Sequence, residues 1–306
     1  MLQTGALMRS IWLLIVPMSL FLSCKRSNAP SPSPETTYFV PIPFSKFSSI
    51  QAPCLDMQLE GRTYSVELDL GFQGDVTLDR ELLDHVPVKT FLRSAVIHGI
   101  QGKQYHTDLF HLPEISIGST TFTEPVIQTN SHEFTNDSVY TMQGSPSAQE
   151  VGRIGWQLFQ SANILIDVAR GGIALCDSVE TLKKQGYATE KFSKTELLTD
   201  RGLLEFEATT SDGILRCTLD TGASVNVLNQ ETQQPIQVAI WEADNKVSSS
   251  PFMIEEQDFG PITFHQIPIK IPIPIKAILG MEFFRTHVIF IDFSKNLAYF
   301  SQLREI

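Results

Sequence analysis

Residues 154–175 read IGWQLFQSANILIDVARGGIAL, and residues 279–300 read LGMEFFRTHVIFIDFSKNLAYF. The two stretches match by residue type without a gap. Each has an apolar residue and Gly, one short helical turn, an apolar run closing on Asp167 or Asp292, a tight turn, and a second apolar strand. An Asp that ends a buried strand and opens a turn is read as a turn cap, its carboxylate accepting from backbone N–H groups. A match of this length marks the chain as a tandem repeat of one β-rich unit of roughly 100–140 residues.

Working upstream, each half opens on a hairpin whose second strand runs into Asp and a Gly turn. In the first half Leu55–Leu59 is a strand, Glu60-Gly61-Arg62 a turn, and Tyr64–Leu68 a strand that leads into Asp69-Leu70-Gly71. In the second, Leu203–Thr209 and Ile214–Leu219 flank Ser211-Asp212-Gly213 and lead into Asp220-Thr221-Gly222-Ala223-Ser224. From Asp69 to Gly155 is 86 residues and from Asp220 to Gly280 is 60, so the first half carries 26 extra residues as loops or a longer hairpin.

Two such units packed through equivalent surfaces would bring Asp69 and Asp220 face to face at the axis between them. Two carboxyls at contact distance cannot both ionise, so the pair shares one proton. The ionised member can then take a proton from a bound water while the other donates to the carbonyl oxygen under attack. That chemistry hydrolyses an amide with neither metal nor cofactor, and none is expected. A strand end fixes each carboxylate, Gly71 and Gly222 permit close backbone approach, and Thr221 and Ser224 supply hydroxyls beside the pair. The apolar-Gly turns at Ile154-Gly155 and Leu279-Gly280 are expected beneath the two Asp loops.

On these residues the sequence resembles the aspartic protease superfamily, retropepsin-like proteins most closely. The resemblance rests on Leu219–Ser224, on Ile278-Leu279-Gly280 and on Phe290-Ile291-Asp292-Phe293, and covers nearly all of residues 50–302. It implies an all-β fold with short helices, of the bilobal pepsin/retropepsin type, each lobe giving one Asp to a cleft that binds a peptide or protein substrate in an extended form. The expected organisation is a signal peptide over 1–23, a Ser/Pro tether over 24–37, an N-terminal lobe over 38–180, a connector over 181–199 and a C-terminal lobe over 200–306. The family's arrangement also places a flap in the surplus of the first half, around Gly99, Gln101, Gly102 and Tyr105. An ordinary surface hairpin is the alternative there. A weaker counterpart is expected near Val238–Trp241 and Val247.

The first lobe departs from the family pattern. Leu70 stands where Thr or Ser is usual, and Phe72-Gln73 replaces Ala-Ser/Thr. Leu70 has no hydroxyl to exchange across the lobes, and Gln73 could compensate only if its amide reached Asp69. Two readings follow: an aspartic endopeptidase, or a degenerate pair of lobes that binds a peptide or protein partner without cutting it.

The rest of the sequence narrows the setting. Among 306 residues, 23 Lys+Arg stand against 34 Asp+Glu, and no basic cluster offers a footprint for a phosphate backbone, so nucleic acid is not an expected partner. Arg9 precedes the apolar run Ile11–Leu22, which at about 1.5 Å per residue is too short to span a bilayer core of roughly 30 Å. That run reads as an export signal. Ser23-Cys24 at its end resembles a bacterial lipoprotein box, which implies a lipid-bearing Cys24, a membrane anchor and a place in the cell envelope, facing the periplasm or the cell surface. A plain signal peptide or an uncleaved anchor is the alternative. Cys54, Cys176 and Cys217 have no metal-site spacing and read as small buried residues. His98, His106, His111 and His132 fall on an alternating stretch and are assigned no metal. The Pro-spaced run Ile267–Ile275 suits an edge strand and no chemistry.

Overall fold

The alternation of Leu55, Met57 and Leu59 with Asp56 and Gln58 puts three apolar side chains on one face of the strand Pro53–Leu59, and all three are buried. Glu60 and Gly61, both at positive φ, turn the chain tightly into Arg62–Leu68, with Leu59 opposite Arg62. The computed structural model describes residues 38–48, 51–98, 104–130, 150–230, 246–270 and 273–303. The expected signal peptide, the tether with Cys24, and Gly99, Gln101, Gly102, His132 and Val238–Trp241 lie outside the described residues.

Among the described residues this hairpin belongs to a large sheet. Its strands run in the order Thr90–His98, Gln104–His111, Val126–Asn130, Val76–Asp79, Glu150–Ile154, Arg62–Leu68, Pro53–Leu59, Glu114–Ile117, Thr120–Thr123. The second lobe has Lys246–Ser249, Ile262–Ile267, Val227–Asn229, Ala277–Leu279, Gly213–Leu219, Glu205–Thr210, Phe252–Ile254, Gln257–Asp258. From Gln104–His111 onward the two orders agree strand by strand in the sense of pairing. The strand Thr90–His98, which has no counterpart among the described residues of the second lobe, pairs antiparallel with Gln104–His111, Ile97 opposite Tyr105.

A third sheet joins the lobes, in the order Phe39–Pro43, Gly172–Cys176, Asn163–Asp167, His287–Asp292, Leu297–Gln302, Ser193–Glu196. Its two central strands come from the two quoted stretches and pair with Leu165 opposite Phe290. Continuous apolar runs suit them because both faces are covered. Ile164, Ile166, Ile289 and Ile291 enter the core shared with the lobes, while Leu165, Val288 and Phe290 pack under Leu182 and Tyr187 on the other face. The short helix Val179–Lys184, capped by Ser178 accepting from the Thr181 N–H, supplies that cover. The connector is therefore partly structural, because Ser193–Glu196 is a strand of the shared sheet.

Asp167 and Asp292 cap their turns. Asp167 Oδ1 accepts from the Arg170 N–H at 3.0 Å, and Asp292 Oδ1 from the Lys295 N–H at 3.1 Å. The Pro-spaced run behaves differently from expectation. The strand Ile262–Ile267 stops at Pro268, and the described residues of 268–276 form no strand. Each Pro removes a ladder donor, and Asn229 substitutes, its Oδ1 accepting from the Ile269 N–H and its Nδ2 donating to the Ile275 carbonyl. Cys54, Cys176 and Cys217 are buried free thiols.

Candidate active site

Asp69 leaves the strand Arg62–Leu68 and donates its N–H to the Ile154 carbonyl at 2.9 Å, while Asp220 leaves Gly213–Leu219 and donates to the Leu279 carbonyl at 3.0 Å. The apolar-Gly turns thus lie under the two Asp loops as expected. The supporting bonds continue in parallel: the Gly155 N–H donates to the Asp75 carbonyl, and the Gly280 N–H to Asn226 Oδ1.

The two loops interlock through their glycines. A Cβ placed on Gly222 would stand 2.7 Å from Asp69 Cγ, and one on Gly71 would stand 2.5 Å from Asp220 Oδ2. Each carboxyl therefore rests on the opposite lobe's bare backbone, a contact that no larger residue allows. Asp220 also accepts the Gly222 N–H at 2.8 Å on Oδ1. Its carboxyl is pushed well above the usual carboxylate range, first by burial, then by the charge of Asp69 and a hydrogen bond to it. The N–H groups of Gly222 and Ala223 oppose the shift without cancelling it. Two carboxyls therefore face each other across the lobes, with Asp220 held towards its protonated form.

The hydroxyl exchange across the lobes runs one way. Thr221 is fully buried, and its Oγ1 accepts the Leu70 N–H at 3.1 Å and donates to the Leu68 carbonyl at 2.5 Å. Leu70 buries its side chain in the core and returns no such bond. Ser224 lies in the same turn, half-buried, and its hydroxyl bonds to neither carboxyl among the described residues; the Gly222 N–H does that work for Asp220. Gln73 turns away from Asp69 and donates from Nε2 to the Arg201 carbonyl of the other lobe at 3.1 Å. Gly202 beside it accepts from Trp156 Nε1 at 3.2 Å, so this patch ties lobe to lobe. Of the expected flap residues, Tyr105 is described, buried in Gln104–His111.

Two residues beside Asp69 were missed by sequence reasoning. Arg153 Nε stands 3.4 Å from Glu67 Oε2, and its Nη1 3.6 Å from Asp69 Oδ2. Arg153 and Glu67 are partners in the parallel pairing of Glu150–Ile154 with Arg62–Leu68. The signal was present in the repeat, since Arg153 matches Ile278 and Glu67 matches Thr218.

No protein-family model matches the chain, and no curated protein matches it. Solved structures do resemble it. The basic 7S globulin from soybean superposes with a TM-score of 0.57 at 11% identity, covering 88% of this chain and 96% of its own. Conglutin gamma, a basic 7S globulin from lupine seeds, gives 0.56 at 10% identity, with 88% and 96% covered. The aspartic proteinase from Irpex lacteus gives 0.54 at 10% identity, with 87% and 97% covered. The chain thus has the mostly β, two-lobed fold of pepsin-like aspartic proteinases.

Proposed function

We propose that the chain is an aspartic endopeptidase that hydrolyses peptide bonds with a water held between Asp69 and Asp220. The observation that carries this reading is the reciprocal packing of Gly71 on Asp220 and Gly222 on Asp69, which brings two carboxyls together and raises one of them. One ionised and one protonated carboxyl are what general acid–base attack on an amide needs. The substrate in this reading is a peptide or protein segment laid in extended form between the lobes. We further propose export to the bacterial envelope, with Cys24 as the lipid-bearing residue. The support is the sequence of residues 1–24, and labelled fatty acid incorporated by the chain but not by Cys24→Ala is the expected result.

The test is digestion of a diverse peptide mixture across pH 3–8 by the chain and by Asp220→Asn. New cut sites that vanish in the variant are the expected outcome. A folded chain that cuts nothing at any pH, or cuts identically in the variant, overturns the peptidase reading. A second reading, a protein that binds a peptide or partner without cutting it, is favoured by the one-way bond between Thr221 and Leu70.

A further inference from the structure

The two halves of the site differ in charge at one paired register, where the first lobe has Arg153 and Glu67 and the second has Ile278 and Thr218. Arg153 lies between Glu67 and Asp69, with its side chain 19% exposed and theirs 12% each. At the matching register of the other lobe Ile278 pairs with Thr218, so no cation stands there beside Asp220. Asp69 thus faces Asp220 from the opposite lobe, Arg153 from the neighbouring strand, and Glu67, two residues back on its own strand, through Arg153. At this burial the guanidinium is weakly screened by solvent ions, and an opposite charge this close favours the ionised form of a carboxyl.

Resting on the two-carboxyl reading above, we infer that Arg153 is a positioning residue that decides where the shared proton sits, holding Asp69 as the ionised member and leaving Asp220 as the protonated one. The water then gives its proton to Asp69 as its oxygen bonds to the scissile carbon, and Asp220 gives its proton to the carbonyl oxygen. In the second half Asp69 hands its proton to the leaving nitrogen as the C–N bond breaks. Asp220 takes one back from a hydroxyl of the tetrahedral diol. The pair ends as it began, with one proton, on Asp220. The raised carboxyl of Asp220 agrees with this placement. Glu67 moderates the effect by sharing the guanidinium.

The consequence is a directional change in the pH profile. Arg153 stabilises Asp69 as an anion more than it stabilises the more distant Asp220. Removing it therefore raises the acid limb of kcat/KM more than the alkaline limb. For Arg153→Met the acid limb is expected to move up by about one to two pH units with a narrower active window. Glu67→Gln, which frees the guanidinium for Asp69, moves the acid limb down, and Arg153→Lys falls between wild type and Arg153→Met. A merely structural role for Arg153 lowers activity without shifting the acid limb. Acid limbs that stay at the wild-type position in all three variants overturn the inference and leave the peptidase reading intact.

The second measurement needs no catalysis. Carboxyl 13C titration of the full chain, assigned with Asp69→Asn and Asp220→Asn, is expected to show Asp69 ionising first. Equal titration of the two carboxyls, or Asp220 ionising first, overturns the inference even if peptides are cut. Ordered titration in a chain that cuts nothing keeps the charge assignment and sinks the peptidase reading instead.

Discussion

Thr221 reaches from the second lobe into the first and bonds both the N–H of Leu70 and the carbonyl two residues before it, and Leu70 has no group with which to answer. Both backbone groups are buried, so this one hydroxyl satisfies a donor and an acceptor that water does not reach. The hydroxyl bonds of the two Asp turns thus cross the lobes from one side only.

Thr221→Val keeps the shape and removes the hydroxyl. It strands the Leu70 N–H and the Leu68 carbonyl, at about 1–3 kcal/mol for each unpaired group. Urea unfolding is expected to show a loss of about 2–6 kcal/mol, with Thr221→Ser close to wild type. An unchanged midpoint for Thr221→Val would mean that the bonds seen here contribute nothing net.

Gly222→Ala puts a methyl group where Asp69 lies, at 2.7 Å from its Cγ. Either the carboxyls move apart or the lobes do. Misplacement of a reacting group by about 1 Å costs on the order of 100-fold in rate. Cleavage of the best peptide is expected to fall at least that far while circular dichroism still reports a folded β protein. Wild-type turnover in Gly222→Ala would contradict the interlocked glycines.

Two buried groups pull stability in opposite directions as pH changes. The Asp220 carboxyl is raised by burial and Asp69, so the folded chain holds its proton more tightly than the unfolded chain. Its contribution is complete below the unfolded value of roughly 3.9 and is lost as pH rises through the raised value. His287 is pushed down to about 4 by burial, against a hydrogen bond to the Phe283 carbonyl, and stacks on the Phe283 ring. Its contribution, about 3 kcal/mol by linkage, is present above pH 6.5 and lost as pH falls through about 4. Relative to wild type, Asp220→Asn should gain stability as pH rises from about 4, and His287→Phe should gain as pH falls below about 6.5. Flat differences in urea midpoints across this range would refute both assignments.

The repeat made most of the fold legible, because matched strands in matched order leave one way for the two units to meet. Asp69, Asp220, Gly71 and Gly222 follow from strand ends and turns, which are local, and so do the caps at Asp167 and Asp292. The missing hydroxyl at Leu70 was equally plain. What stayed hidden depends on where a long side chain goes after the lobes dock. Gln73 could point to Asp69 or to the other lobe, and only the position of Arg201 decides. Nothing local in the sequence marks Arg153, and only the parallel register puts it beside Glu67. The Pro-spaced run alternates like a pleated strand, yet its missing N–H groups leave no ladder to form.

The central strand pair of the shared sheet has a consequence for how the chain comes into being. Asn163–Asp167 meets its partner more than a hundred residues later, and Ser193–Glu196 waits for Leu297–Gln302. Asn163–Asp167 pairs early with Gly172–Cys176, but its other edge and Ser193–Glu196 wait until the second lobe has been made. Contacts this far apart in sequence fold slowly, so a growing chain would carry three platform strands under the first lobe and complete the sheet only when His287–Asp292 and Leu297–Gln302 arrive. Closure is then a late, whole-chain event, and the two carboxyls meet no earlier than that.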